Sequence, residues 1–267
     1  MEITALKFDW DEPWLTPLAD IGRRVSCTDW RGALNHASKE RDLRNFSGKS
    51  VVFTAGDAAA GEPYESFIAR TGCVPTRDNL HDFFNALILL HFPLSKAKLT
   101  QLQAAAISRD GIKPSRGATR DAATLMDENA ILLVTHRADL IDAARLHNWP
   151  ELFVRHRSAW SDQIAARVFG HALLEKLVRP YKAITAHALH VPLTADASSA
   201  EVDSYLASTL DDEFSPLQLI PLPVLGIPGW CAENANPEFY LDVKVFRPAN
   251  MRRPGTAEKQ SNETWRT

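Results

Sequence analysis

The chain has 267 residues, 45% of them hydrophobic and 24% charged, with a formal net charge of −3. Those proportions exclude a disordered, collagen-like or coiled-coil chain, and the charge excludes a globally basic surface that tracks phosphates, so nucleic acid is not an expected partner. Three widely spaced cysteines, Cys27, Cys73 and Cys231, form no CxxC pair; this argues against a disulfide framework or a cysteine zinc site and fits a reducing, cytoplasmic setting.

Met1-Glu2-Ile3-Thr4 runs into acidic residues rather than a charged-then-apolar leader. Tryptophans and acids (Trp10, Asp11, Glu12, Trp14) precede a helical pattern at Leu15, Leu18, Ile21 and Val25. Thr28 is the expected cap of a helix through Trp30, Ala33, Leu34 and Ala37, with Asp29 in its first turn. Residues 50–55 are β-branched and aromatic and lie between Gly48 and Gly56, which predicts a short strand followed by a small-residue loop to Gly61.

The clearest helix begins after Thr76-Arg77-Asp78-Asn79, where Asp78 or Asn79 can accept from a free first-turn amide. Leu80, Phe83, Phe84, Leu87, Ile88 and His91 define one buried stripe. Phe92-Pro93 ends it, and Ser95 starts another helix through Leu99, Leu102, Ala105 and Ala106. No aliphatic run is longer than Ala86 to Leu90, far short of the ~20 apolar residues a membrane span needs.

A polar loop at Arg109–Gly117, a helix to about Asn129 and a strand at Ala130–Thr135 follow. Two short helices are expected between Arg137 and Arg157, a helix from Arg167 to Pro180, a strand over Ala183–Pro192 and a helix over Ala200–Leu210. Three prolines and two glycines in Pro221–Trp230 predict an extended apolar strap rather than a regular element. The resulting expectation is a mostly helical α+β fold with a few short strands, a single domain over residues 1–248 and a flexible polar tail over 249–267. Residues 183–243 hold nine acids and no Lys or Arg. Either this part packs beside the basic remainder, or it offers an acidic face to a cation or basic partner.

Three stretches resemble an uncharacterised proteobacterial family, the domain of unknown function 3025: Val74–Leu87 (VPTRDNLHDFFNAL), Phe169–Leu177 (FGHALLEKL) and Pro221–Trp230. Met126-Asp127-Glu128-Asn129 and Pro180–His187 are similar to it as well, so the resemblance runs in order from about Val51 to Pro248. It implies no activity, cofactor or partner. Some members carry a transmembrane label, which is at odds with the absence of a spanning run here.

His81 and Asn85 stand four apart on one helix, and His171 and Glu175 repeat the spacing on a second. Asp127-Glu128-Asn129 falls at a predicted helix-to-strand junction, and His187 lies in a predicted strand. If His81, Asp127 or Glu128, His171 and Glu175 converge, they offer the nitrogen and oxygen donors of a divalent-metal hydrolase site, with a spare carboxylate as general base. The plainer reading is local: cap hydrogen bonds for Asn79 and Asp82, a satisfied core histidine at 171, surface charge at Glu175. Arg77 beside a helix N-terminus and Lys182 before an apolar run can hold a phosphate or carboxylate. No GxGxxG, P-loop, GxSxG, HExxH or EF-hand loop is present.

Two functions follow. One is a hydrolase of small esters or phosphoesters, with His81, Asp82, Asp127, Glu128, His171 and Glu175 as catalytic candidates. Its substrate-binding candidates are Arg77, Asn79, Asn85, Asn129, Lys182, His187 and Trp230, and a divalent metal is a candidate cofactor. The other is a non-catalytic binding or scaffold protein, in which the same residues form a polar packing network and the strap exposes Trp230.

Overall fold

The computed structural model describes residues 8–58, 61–110 and 117–249. The architecture is α+β and mostly helical: α1 Ala19–Val25, α2 Trp30–Glu40, β1 Val52–Thr54, α3 Tyr64–Thr71, β2 Cys73–Pro75, α4 Leu80–His91, α5 Pro93–Asp110, α6 Ala118–Asn129, β3 Ala130–Val134, α7 Ala138–Arg145, β4 Ala165–Val168, α8 His171–Leu177, β5 Thr185–Val191, α9 Ser199–Thr209 and β6 Ile220–Pro223. β1 and β2 form a small parallel pair, and the other strands form a sheet in the order β4-β3-β5-β6. Within it β3 and β5 are parallel and both outer pairs antiparallel. Every residue of β3 is buried, which an unbroken run Ala-Ile-Leu-Leu-Val requires of a central strand. One hydrophobic cluster runs from Trp10 to Phe246.

The α2 cap is Asp29, not Thr28: its side chain accepts from the Gly32 amide, and Thr28 lies one residue too early to reach it. Asn79 caps α4 by accepting from Asp82 N. That helix is buried almost all round from Asp82 to Leu90 rather than along one stripe, because α5 and α8 pack on it as well as α1 and α2. α5 begins at Pro93, whose missing amide costs nothing in a first turn. The buried carboxylate of Asp203 on α9 accepts from Leu94 N and Ser95 N there, so one acid of the base-free stretch serves as a helix cap.

Two expectations fail at the sheet. Arg167-Val168 belongs to β4, not to a helix, because these residues pair with β3 through Ile131↔Val168 and Leu132↔Arg167. The strap opens with a strand, β6, because its prolines suit an edge. Val224 N donates to Ile184 O, so amides of that parity face β5, and the missing amides of Pro221 and Pro223 fall on the open side. The rest of the strap continues as a 3-10 turn over Val224–Gly226. Most of the Arg109–Gly117 loop and all but the first residue of the polar tail lie outside the described residues. Among the described residues no helix is long and apolar enough to cross a membrane.

Candidate active site

The histidines converge because three chain segments meet at one point. The amides of Phe169 and Gly170 both donate to the Ala130 carbonyl, at 3.0 and 2.8 Å. A Cβ at Gly170 would stand 2.4 Å from Ala130 N and 2.5 Å from Asn129 N, so only glycine lets α8 start against the end of α6. His171, the next residue, is thereby set beside Asp127 and Glu128 in the last turn of α6. Acids at a helix C-terminus oppose the dipole and cost stability unless something positive faces them. α4 packs on α8 from the other side and brings up His81 from its first turn.

The two imidazoles meet edge to face with Nε2 3.0 Å from Nε2. Glu128 Oε2 lies 3.5 Å from His171 Nε2, and one donor atom each from His81, Glu128 and His171 fall within 4.8 Å of one another. Behind the rings stand further carboxylates: Glu175 Oε2 at 3.3 Å from His81 Nδ1, and Asp127 Oδ2 at 3.9 Å from His171 Nδ1. His171 Nδ1 is buried without a hydrogen-bond partner. Burial pushes the His171 imidazole down to about 4, with Lys96 and His81 adding to the effect and Asp127 opposing it, so the ring is neutral at physiological pH. Burial and the neighbouring Asp127 push the Glu128 carboxyl up. Burial works against the Asp127 charge as well, yet Lys96 and His171 hold its carboxyl below the usual range.

Lys96 was not singled out from sequence, yet it anchors the wall of the site. Its side chain is 8% exposed, and Nζ donates to Asp127 Oδ1 and, at 2.7 Å, to Asn85 Oδ1. Asn85 in turn donates to the Tyr64 hydroxyl at 3.0 Å, which leaves the phenolic proton free for another acceptor. Desolvation of the hydroxyl against the cleft wall, with Asp127 and Asp82 nearby, raises the Tyr64 phenol and keeps it protonated, although the residue as a whole is exposed. The signal for Lys96 was present: Lys96, Leu99, Gln103 and Ala106 share one face of α5, and a lysine and a glutamine among apolar residues there must be buried with partners.

These groups line a cleft of about 390 Å³ that contains Arg77, His81, Asp82, Asn85, Asp127, Glu128 and His171 of the expected residues, together with Gly56, Tyr64, Glu65, Gln103 and Thr124. Glu175 reaches the site from behind His81. Asn79 is occupied as the α4 cap. The remaining candidates lie elsewhere. Asn129 donates to Thr185 O and His187 Nδ1 and accepts from Lys176, a separate cluster beside β5. Lys182 pairs with Asp242 at 3.2 Å and sits 4.3 Å over the Phe239 ring. Trp230 is 6% exposed and packs on Trp14, so the strap does not present it as an apolar surface.

The family described as "Protein of unknown function (DUF3025)" matches residues 51–250. The chain belongs to this family. The matched region contains every cleft residue named above, so the site lies within the family's own domain. No curated protein matches the chain, and no solved structure does.

Proposed function

We propose that the cleft is a divalent-metal site that hydrolyses small esters or phosphoesters. The observation that carries this reading is the approach of two imidazole Nε2 atoms to 3.0 Å with carboxylates behind their Nδ1 atoms. Glu175 behind His81 Nδ1 favours the tautomer with the proton there, which turns the His81 Nε2 lone pair toward His171 Nε2. In the metal-free protein the His171 Nε2–H donates to that lone pair; when a cation binds, this proton leaves and both lone pairs turn to the ion. With metal–nitrogen bonds of about 2.0–2.1 Å, a tetrahedral site has ligand edges of about 3.3 Å. The separations of 3.0 Å between the Nε2 atoms and 3.5 Å to Glu128 Oε2 match that scale.

His81, His171 and Glu128 would hold the cation, and Glu175 and Asp127 would orient the rings. When bound, such a cation supplies Lewis acidity and lowers the pKa of a coordinated water toward neutrality. Burial raises the Glu128 carboxyl, and a cation held beside it would bring it back down. The Tyr64 hydroxyl can donate to an oxygen that gains negative charge. In the overall reaction the water oxygen bonds to the acyl carbon or phosphorus, the ester bond breaks, and the alcohol leaves with a proton.

The test is metal analysis of natively purified protein, paired with assays on p-nitrophenyl acetate, butyrate and phosphate before and after chelation. Near-stoichiometric transition metal, with activity lost to the chelator and restored by the ion, supports the proposal. Metal-free protein that neither binds added zinc or manganese nor responds to chelator overturns it.

A further inference from the structure

Lys96 is committed to Asp127 and Asn85 in the cleft wall, whereas Arg77, which also lines the cleft, uses only two of its five guanidinium N–H donors. Nε donates to Asp82 Oδ2 at 3.0 Å and one terminal nitrogen, Nη2, to Asp82 Oδ1 at 3.1 Å. That pairing occupies the lateral edge of the guanidinium. The end of the guanidinium, formed by both terminal nitrogens, meets no acceptor among the described residues, and the side chain is 66% exposed. Asp82 itself is held: its side chain is 9% exposed, Oδ2 also accepts from Arg77 N at 2.6 Å, and its own amide is bound to Asn79. A buried, fixed carboxylate therefore aims a solvent-accessible guanidinium.

The stem of Arg77 is aimed too. It lies against the Cα of Gly56, where a Cβ would stand 2.1 Å from Arg77 Cγ and 3.2 Å from Cδ. Any larger residue at 56 displaces the arginine close to its root, and the guanidinium with it. Two separate segments thus fix this one side chain in the wall of the cleft. An ion pair serving only the start of α4 would not need the second.

We infer that Arg77 is a specificity residue: its free edge takes an oxyanion, carboxylate or phosphate, carried by the substrate. What that oxyanion is attached to rests on the hydrolase reading; the anion subsite does not. A cleft of about 390 Å³ suits a small molecule with one anionic end on Arg77 and its reacting group at the histidines.

Titration calorimetry on the full chain, with and without added zinc, tests this using three probes: glutarate, 3-phosphonopropionate and the neutral glutaramide. Glutarate or the phosphonate should bind more tightly than glutaramide, and the ratio between them tells carboxylate from phosphoryl. Arg77→Met should weaken the better anion about tenfold or more, the scale of a charge-assisted bidentate pair, and leave glutaramide unchanged. Gly56→Ala, which leaves every charge in place, should weaken the same anion and not zinc. It guards against Arg77→Met failing to fold once Asp82 loses its partner. Equal binding of anionic and neutral probes, or anion affinity unmoved in a folded Gly56→Ala protein, overturns the subsite. Zinc binding that fails while Arg77-dependent anion binding persists would instead sink the metal reading alone.

Discussion

Two buried polar regions of this protein are built on opposite plans. Beneath the strap, Asn234 is fully buried and donates to the carbonyls of Leu225 and Ile227, while its own carbonyls accept from Arg157. Tyr240 completes the set by donating to Gly226 O. Every group there has a partner inside the protein, as a packing network should. In the cleft, His171 Nδ1 has no hydrogen-bond partner, two imidazole nitrogens confront each other, and Glu128 turns toward the cleft. The first region spends its polarity on the fold. The second keeps it available for something that binds.

That contrast can be broken experimentally. The largest effect is expected at the one fully committed pair of the cleft wall. Lys96→Met leaves the partly buried Asp127 carboxylate without its counter-charge and should cost about 3 kcal/mol in urea unfolding. Asp127→Asn in the same chain should recover much of the loss. Next, His171→Leu should cut zinc affinity more than the roughly 100-fold that losing an outer partner costs. The metal-free protein should lose no more than about 1 kcal/mol, the worth of the single His81–His171 contact, since Nδ1 has no partner to lose. A large loss of metal-free stability would place His171 with the packing network instead. Asn234→Ala should show the reverse pattern, losing about 2 kcal/mol of stability with metal content unchanged.

The smallest effect concerns His91, whose Nε2 is buried and unpartnered. Burial, with Arg167 and Arg41 adding to it, pushes this imidazole from 6.5 down to about 4. The unfolded chain therefore takes up the proton first as pH falls. The His91 contribution to stability should be level above about 6.5, decline between 6.5 and 4, and level off below. The contribution between pH 7 and 5 is on the order of 1–2 kcal/mol. His91→Gln should remove about half of the slope there, since His171 is depressed to about 4 as well, and an unchanged slope would assign the titration to other groups.

Much of the fold is readable from local chemistry: Asn79 as a cap, Pro93 after α4, and the all-apolar Ala130–Val134 between helices. β4 escapes such reading because Ala165–Val168 is short and only its pairing with β3 makes it a strand. The same holds for β6, where the prolines are acceptable only because no strand lies beyond. At the site, the i, i+4 spacings marked His81, Asn85, His171 and Glu175, but no spacing reports that α4 and α8 touch. Lys182 and Trp230 are chemically plausible residues whose neighbours, Asp242 and Trp14, come from distant parts of the chain. Lys96 could be read from its place on an apolar helix face, a cue that rests on burial rather than on motif.

The knot at Ala130 has a kinetic consequence. Its carbonyl receives two amides from the β4–α8 turn, and the same residue begins the central strand and ends the helix that carries Asp127 and Glu128. Releasing either half of the site therefore means parting the middle of the sheet. The amides of Phe169 and Gly170 should exchange with solvent only through global opening, at the slowest rate in the molecule. The carboxylates of α6 and His171 of α8 should therefore stay in register for as long as the sheet is intact.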